Sequence, residues 1–163
     1  MSAGVLFVHS SPPALCPHVE WAVAAVLGVP AKLVWTPQPA EPGLLRCETG
    51  WRGKPGTGGK LAGALRQWGM LRAEVTEEPS AGLDGERYAI SPTLGVFRAA
   101  MSANGDILVA EDRLRALLAG AVDGTALAHG LDKLLGTAWD EELEPYRHAG
   151  EGTPVRWLHA VGG

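Results

Sequence analysis

Four uninterrupted apolar residues, Val5-Leu6-Phe7-Val8, limit what this chain can fold into more than any other stretch. A strand with no polar face has to be covered on both sides, so it belongs in the middle of a sheet. The chain leaves it through His9-Ser10-Ser11-Pro12-Pro13-Ala14-Leu15 and enters a helix at Cys16-Pro17. Pro17 has no N–H and suits a first helical turn, where that N–H would be unpaired. Gly28 supplies the stop. At about 100° per residue, Leu15, Val19, Ala22, Val23 and Val26 share one face. Trp21 and Ala25 fall opposite, so the helix is expected to be covered on more than one side.

The period then changes to two. Lys32 to Thr36 alternates, the stiff loop Pro37-Gln38-Pro39-Ala40-Glu41-Pro42-Gly43 interrupts, and Leu44 to Trp51 alternates again. Leu45, Cys47, Thr49 and Trp51 point inward; Leu44, Arg46 and Glu48 point outward. The glycine-rich run from Arg52 to Lys60 opens a second helix, with Thr57 as its expected N-cap, which reaches Trp68. Met70 to Glu77 reads as a strand with Leu71, Ala73 and Val75 inward and Arg72, Glu74 and Thr76 outward. Strand, helix, strand, strand, helix, strand is the ferredoxin-like order. It predicts a split β-α-β half with a four-stranded antiparallel sheet and both helices on one face. Arg46, Glu48, Arg72 and Glu74 are then expected on the other face.

Glu78 to Gly85 is a turn-rich connector. It separates the ferredoxin-like half, residues 1–78, from a hairpin-plus-helices half, residues 79–163, packed on it in one compact unit. Arg87 to Ile90 and Thr93 to Met101 read as strands, and Asn104-Gly105 predicts a type I′ turn leading to a return strand, Asp106 to Val109. Helices follow over Glu111 to Ala119 and from an Asp123 cap to Leu135. Thr137 with Asp140 resembles a capping box and starts a short helix near Tyr146. Pro154 to Val161 reads as a last strand. The class is α+β.

A formal charge of −4 over 163 residues, with no Lys/Arg block, excludes nucleic-acid or anionic-membrane binding by bulk charge. No apolar run approaches the ~20 residues of a membrane span. Two cysteines and no signal-peptide pattern predict reduced thiols in a cytoplasmic protein. The scattered Cys and His residues do not form a metal-ligand pattern, and no cofactor is expected.

Three candidate sites emerge. Cys16 at a helix N-terminus, with His18 as its base, has the residue types of a thiolate nucleophile. Thr57, Gly58, Gly59 and Lys60 offer backbone N–H groups and a cation to a phosphate or carboxylate, although the loop is not a P-loop: Lys54 stands in place of a glycine, and Leu61 in place of the Ser or Thr. His9, Trp21, Trp35, Pro37 and Pro39 combine rigid loops with tryptophan, the composition of an interaction anchor. The non-enzymatic reading leads: a cytosolic binding or regulatory protein with a protein partner or a second copy of itself. The alternative is a small enzyme using Cys16 and His18, its anionic substrate held at the glycine loop.

Val8-His9-Ser10-Ser11-Pro12-Pro13-Ala14-Leu15-Cys16-Pro17-His18-Val19-Glu20-Trp21, Trp35-Thr36-Pro37-Gln38-Pro39-Ala40-Glu41-Pro42-Gly43 and Ala100-Met101-Ser102-Ala103-Asn104-Gly105-Asp106 are similar to segments of an uncharacterised family of small actinobacterial proteins, a domain-of-unknown-function family. The resemblance spans nearly the whole chain. It transfers no catalytic residue; it implies an accessory role connected with fatty-acid synthesis.

Overall fold

The computed structural model describes residues 1–149 and 156–159. The first strand, β1 (Ser2–Ser11), is central as its apolar run requires. A short 3-10 turn leads into α1 (Cys16–Leu27), which stops at Gly28 with φ 70° and its N–H donated to the Ala24 carbonyl. Then come β2 (Thr36–Pro37), β3 (Leu45–Gly53), α2 (Thr57–Leu65), β4 (Arg72–Glu77), β5 (Gly85–Ser91), β6 (Gly95–Met101) and β7 (Ile107–Leu108). Three helices, α3 (Glu111–Gly120), α4 (Gly124–Leu135) and α5 (Thr137–Ala149), precede β8 (Arg156–His159).

The architecture is α+β. Seven strands form one antiparallel path, β2-β3-β1-β4-β5-β6-β7, and β8 adds to β3 in parallel. The sheet therefore does not end at four strands. It runs on through β4 and β5, whose ladder joins Glu77 to Glu86 and Ala73 to Ile90 across the connector. The expected strand over residues 32–36 shrinks to a two-residue edge, Thr36 and Pro37 on Arg46 and Leu45. Leu33 N–H is instead taken by the Glu20 carboxylate, 2.9 Å away.

One core lies between the sheet and the pair α1 and α2. Leu6, Val8, Cys47, Trp51, Ala73 and Val75 meet Val19, Val23, Leu27, Leu61 and Leu65 there. Trp21 is 75% exposed and Ala25 is also exposed, so α1 is covered on one side only. The second helix ends at Leu65, three residues short of Trp68. The Asn104-Gly105 turn is not type I′. Only Gly105 has positive φ, 88°, its N–H donates to Ser102 O, and Ser102 N–H donates to Asp106 O. That is a three-residue loop built on a type I turn with a left-handed glycine. Asp123 caps α4 as expected, its carboxylate accepting from Ala126 N–H at 2.7 Å. α5 is longer than the sequence indicated and tolerates Pro145 inside it.

Candidate functional site

The outward faces of β4 and β5 carry Glu74 and Arg87, and α5 lies across them. Its Asp140, Leu143 and Arg147 point at the sheet, Leu143 being wholly buried. Glu74 is the hub. Its Oε2 sits 2.7 Å from His9 Nε2 and 2.8 Å from Arg147 Nε, and its Oε1 accepts from Arg87 Nη2 at 2.7 Å and from Arg147 Nη2. Asp140 Oδ1 accepts from both guanidinium groups, 2.6 Å from Arg87 and 2.9 Å from Arg147. Burial alone would raise the Glu74 carboxyl. Hydrogen bonds and positive charge from His9 and Arg147 outweigh it and hold the carboxyl well below the usual carboxylate range. A carboxylate only accepts, so His9 Nε2 carries the proton. The His9 ring stacks on Phe7 at 5.7 Å.

A second polar set adjoins the first. Arg72 bridges Glu142 Oε1 at 3.2 Å, Ser10 Oγ at 3.4 Å and Glu41 Oε2 at 3.5 Å, and its guanidinium lies 4.6 Å over the Tyr146 ring. Tyr146 O–H donates to Glu41 at 2.7 Å. Buried Gln38 donates from Nε2 to His9 O at 2.7 Å and to Tyr146 O at 3.4 Å, tying the proline loop to β1 and α5.

His9 is thus interior, 3% exposed, and not part of an open partner surface. The alternation of β1 points it away from the apolar core, but α5 and Glu74 close over that side. Trp35 is half-buried against the core and donates its indole N–H to Glu20 at 3.2 Å. Of the interaction anchors, Trp21, Pro37 and Pro39 stay exposed.

The glycine loop holds an anion already, and it belongs to the chain. Gly56 N–H and Gly58 N–H each donate to a Glu77 carboxylate oxygen at 2.8 Å. The N-cap is Gly56 (φ 89°) and not Thr57, whose hydroxyl donates to Lys54 O at 2.7 Å. Gly59 has the Tyr88 hydroxyl against it, and Lys60 is exposed. Replacing Glu77 by Ala strands the buried Gly58 N–H, so a loss of about 1–3 kcal/mol is expected in urea unfolding. Added phosphate should recover part of that loss by filling the vacated N–H groups, which a thermal melt with and without phosphate would read.

Cys16 and His18 do not meet. Burial pushes the Cys16 thiol up, and its S–H donates to Ser11 Oγ at 3.7 Å and Pro12 O at 3.6 Å. His18 is exposed and lies 6.3 Å from the Trp68 ring. Cys47 is core, its thiol pushed up to about 12 by burial. Among the described residues, no cluster of His, Cys, Asp and Glu is grouped to hold a metal ion.

An accessible concavity lies at the other end of the sheet. A cleft of about 660 Å³ runs between β6 and the helices α3, α4 and α5. Leu94, Val96, Phe97 and Trp139 supply its apolar lining, and Arg98, Arg113, His129, Asp132, Lys133 and Glu141 its polar lining. Phe97 and Trp139 pack at 5.4 Å, and Trp139 N–H donates to Gly95 O at 3.1 Å. Residues from widely separated segments build this cleft, so no local motif announces it. The only sequence signal is apolar spacing in helices that bury no residue of their own: α3 and α4 contain none.

An antiparallel sheet with a core on one face, a helix clamped by buried ion pairs on the other and an open cleft at one end defines an α+β protein with an internal charge network. The chain belongs to the DUF3145 family, proteins of unknown function, whose family model matches residues 5–160. No curated protein and no solved structure matches it.

Proposed function

We propose that this is a non-enzymatic binding or regulatory accessory protein and that it captures its ligand in the cleft beside β6. The cleft itself carries the reading: about 660 Å³ falls in the range of ligand sites, and Phe97 and Trp139 give it an aromatic wall. The groups that suggested chemistry are engaged internally, the Cys16 thiol by burial, the glycine loop by Glu77, His9 by Glu74. The family resemblance extends the proposal to an accessory role in fatty-acid metabolism in actinobacteria. Two free, buried cysteines favour a cytoplasmic location. For the fold, the strand order β2-β3-β1-β4 with α1 and α2 on one face supports a ferredoxin-like unit extended by later strands.

The test uses an apolar anionic dye, 8-anilinonaphthalene-1-sulfonate, on the folded protein. Its fluorescence should rise on binding, and Val96→Glu should reduce that affinity about tenfold. Val96 is 39% exposed, so the melting temperature should hardly move. Unchanged dye binding in Val96→Glu refutes the cleft as the site. Alkylation of Cys16 by iodoacetamide as fast as a free thiol at pH 7 favours the enzyme instead.

A further inference from the structure

Beyond most of β6 there is no strand among the described residues. β7 pairs only with Ala100 and Met101, which leaves Gly95 to Ala99 as a sheet edge among the described residues. The parity of that edge follows from the hairpin. Ser102 N–H donates to Asp106 O, so Ser102 faces β7. In an antiparallel ladder the facing groups recur every second residue, which turns the N–H and C=O of Val96 and Arg98 outward into the cleft. Side chains divide by the same rule. Val96 and Arg98 share a face with their partners Ile90 and Tyr88, and Phe97 lies on the opposite face with Trp139.

We propose that an extended peptide alternating acidic and apolar residues adds to this edge of β6 as a further strand. This rests on the cleft being the binding site. The exposed backbone groups select an extended main chain, the one partner that satisfies them in register. The linings select its side chains. On one face stands Arg98, engaged by Glu86, and Arg113, which makes no ion pair among the described residues, lines the same cleft. These two guanidinium groups give the cleft the charge that a peptide carboxylate matches. On the other face Phe97 and Trp139 receive the apolar residues. Asp132 and Glu141 oppose the added charge from the helix wall, with Asp132 taken by the Thr137 hydroxyl at 3.1 Å and Lys133 beside it. A second copy of this chain is the poorer occupant, because it would bring its own Arg98 and Arg113 to the same short edge.

Geometry fixes which peptide nitrogens matter. In an antiparallel pairing, which this proposal takes, a residue directly opposite Val96 or Arg98 lies on their face and donates its N–H to β6. Those are the acidic residues. The probe is a fluorescein-labelled, capped hexapeptide of alternating Glu and Val, with the full-length protein. Its anisotropy should rise on binding, and amide exchange at Val96 and Arg98 should slow. N-methylation at the glutamates should weaken binding at least tenfold, whereas N-methylation at the valines should leave it nearly unchanged. Alternating Lys and Val, or Arg113→Glu, should also cost about tenfold. Equal binding by both methylated peptides, or unchanged exchange at Val96 and Arg98, overturns strand addition. Dye binding with no peptide binding overturns it while the cleft stands as a binding site; failure of both removes the two together. Slow exchange at Val96 and Arg98 without peptide, in a protein that sediments as a dimer, overturns it in favour of self-pairing.

Discussion

Glu74→Gln should cost about 3–5 kcal/mol, the range for breaking a buried ion pair by removing one partner. The variant keeps the shape of the side chain and loses its charge. Arg87 and Arg147 then keep Asp140, Arg147 keeps Glu144 as well, and His9 loses the carboxylate it donates to. Because these side chains are largely buried, solvent does not replace the missing charge. For a domain of this size the melting temperature should fall by roughly 6–20 °C, at about 2–4 °C per kcal/mol. Hydrogen exchange adds a spatial reading: amides of α5 should open together, since Arg147 and Asp140 are its clamp onto the sheet. A loss below about 1 kcal/mol with α5 still protected would show that Leu143 and the Arg72 set hold the helix without Glu74. The wild-type protein should show the same dependence in acid. The folded carboxyl lies below its unfolded value of about 4.3, so its stabilisation is complete above that pH and disappears as pH falls through the folded value. From neutral pH down to about 5 this group should leave stability unchanged.

Gly4→Ala should be as damaging for a different reason. Gly4 pairs with Trp51 on one side and Glu77 on the other. A β-carbon there would lie 1.8 Å from the Thr76 carbonyl oxygen and 2.6 Å from the Trp51 ring. The first contact is backbone, so β4 itself has to shift. The second is a side chain that is wholly buried and whose indole N–H has no partner among the described residues, so it has little room to yield. Overpacking of this kind costs typically about 1–3 kcal/mol and more when main chain is displaced. A loss of at least 3 kcal/mol is expected in urea unfolding. A Gly4→Ala protein within 1 kcal/mol of wild type would mean that β1 and β4 separate easily at this point.

Both predictions concern residues whose surroundings alternation alone could not reveal. Periodicity correctly put Glu74 on the face away from α1 and α2, but a period says which way a side chain points and nothing about what arrives to cover it. The cover is α5, some seventy residues later in the chain, and its inward residues Asp140 and Arg147 look like ordinary helix-surface charge. His9 was misplaced for the same reason. The glycine loop shows a related limit. Its N–H groups were legible as an anion site, but the anion is Glu77, which reads locally as the end of a strand. Signals that complete themselves within a few residues were readable: the Gly28 stop, the Asp123 cap and the apolar centre of β1. The cleft was not, because β6, α4 and α5 each contribute three or four residues from segments far apart in the chain.

The place of β8 bears on how the chain is made. It lies along Thr49 to Arg52 of β3, although more than a hundred residues separate the two in sequence. On a ribosome, β3, β1 and β4 can associate long before that strand is synthesised. Until it emerges, this flank of β3 offers an unsatisfied backbone to any extended neighbour, including another nascent chain on the same message. Closing the flank from the far end of the chain also raises contact order, which slows the last stage of folding. The interval between those two events is when the protein most needs a chaperone, and a chain stalled before Arg156 would stay in it.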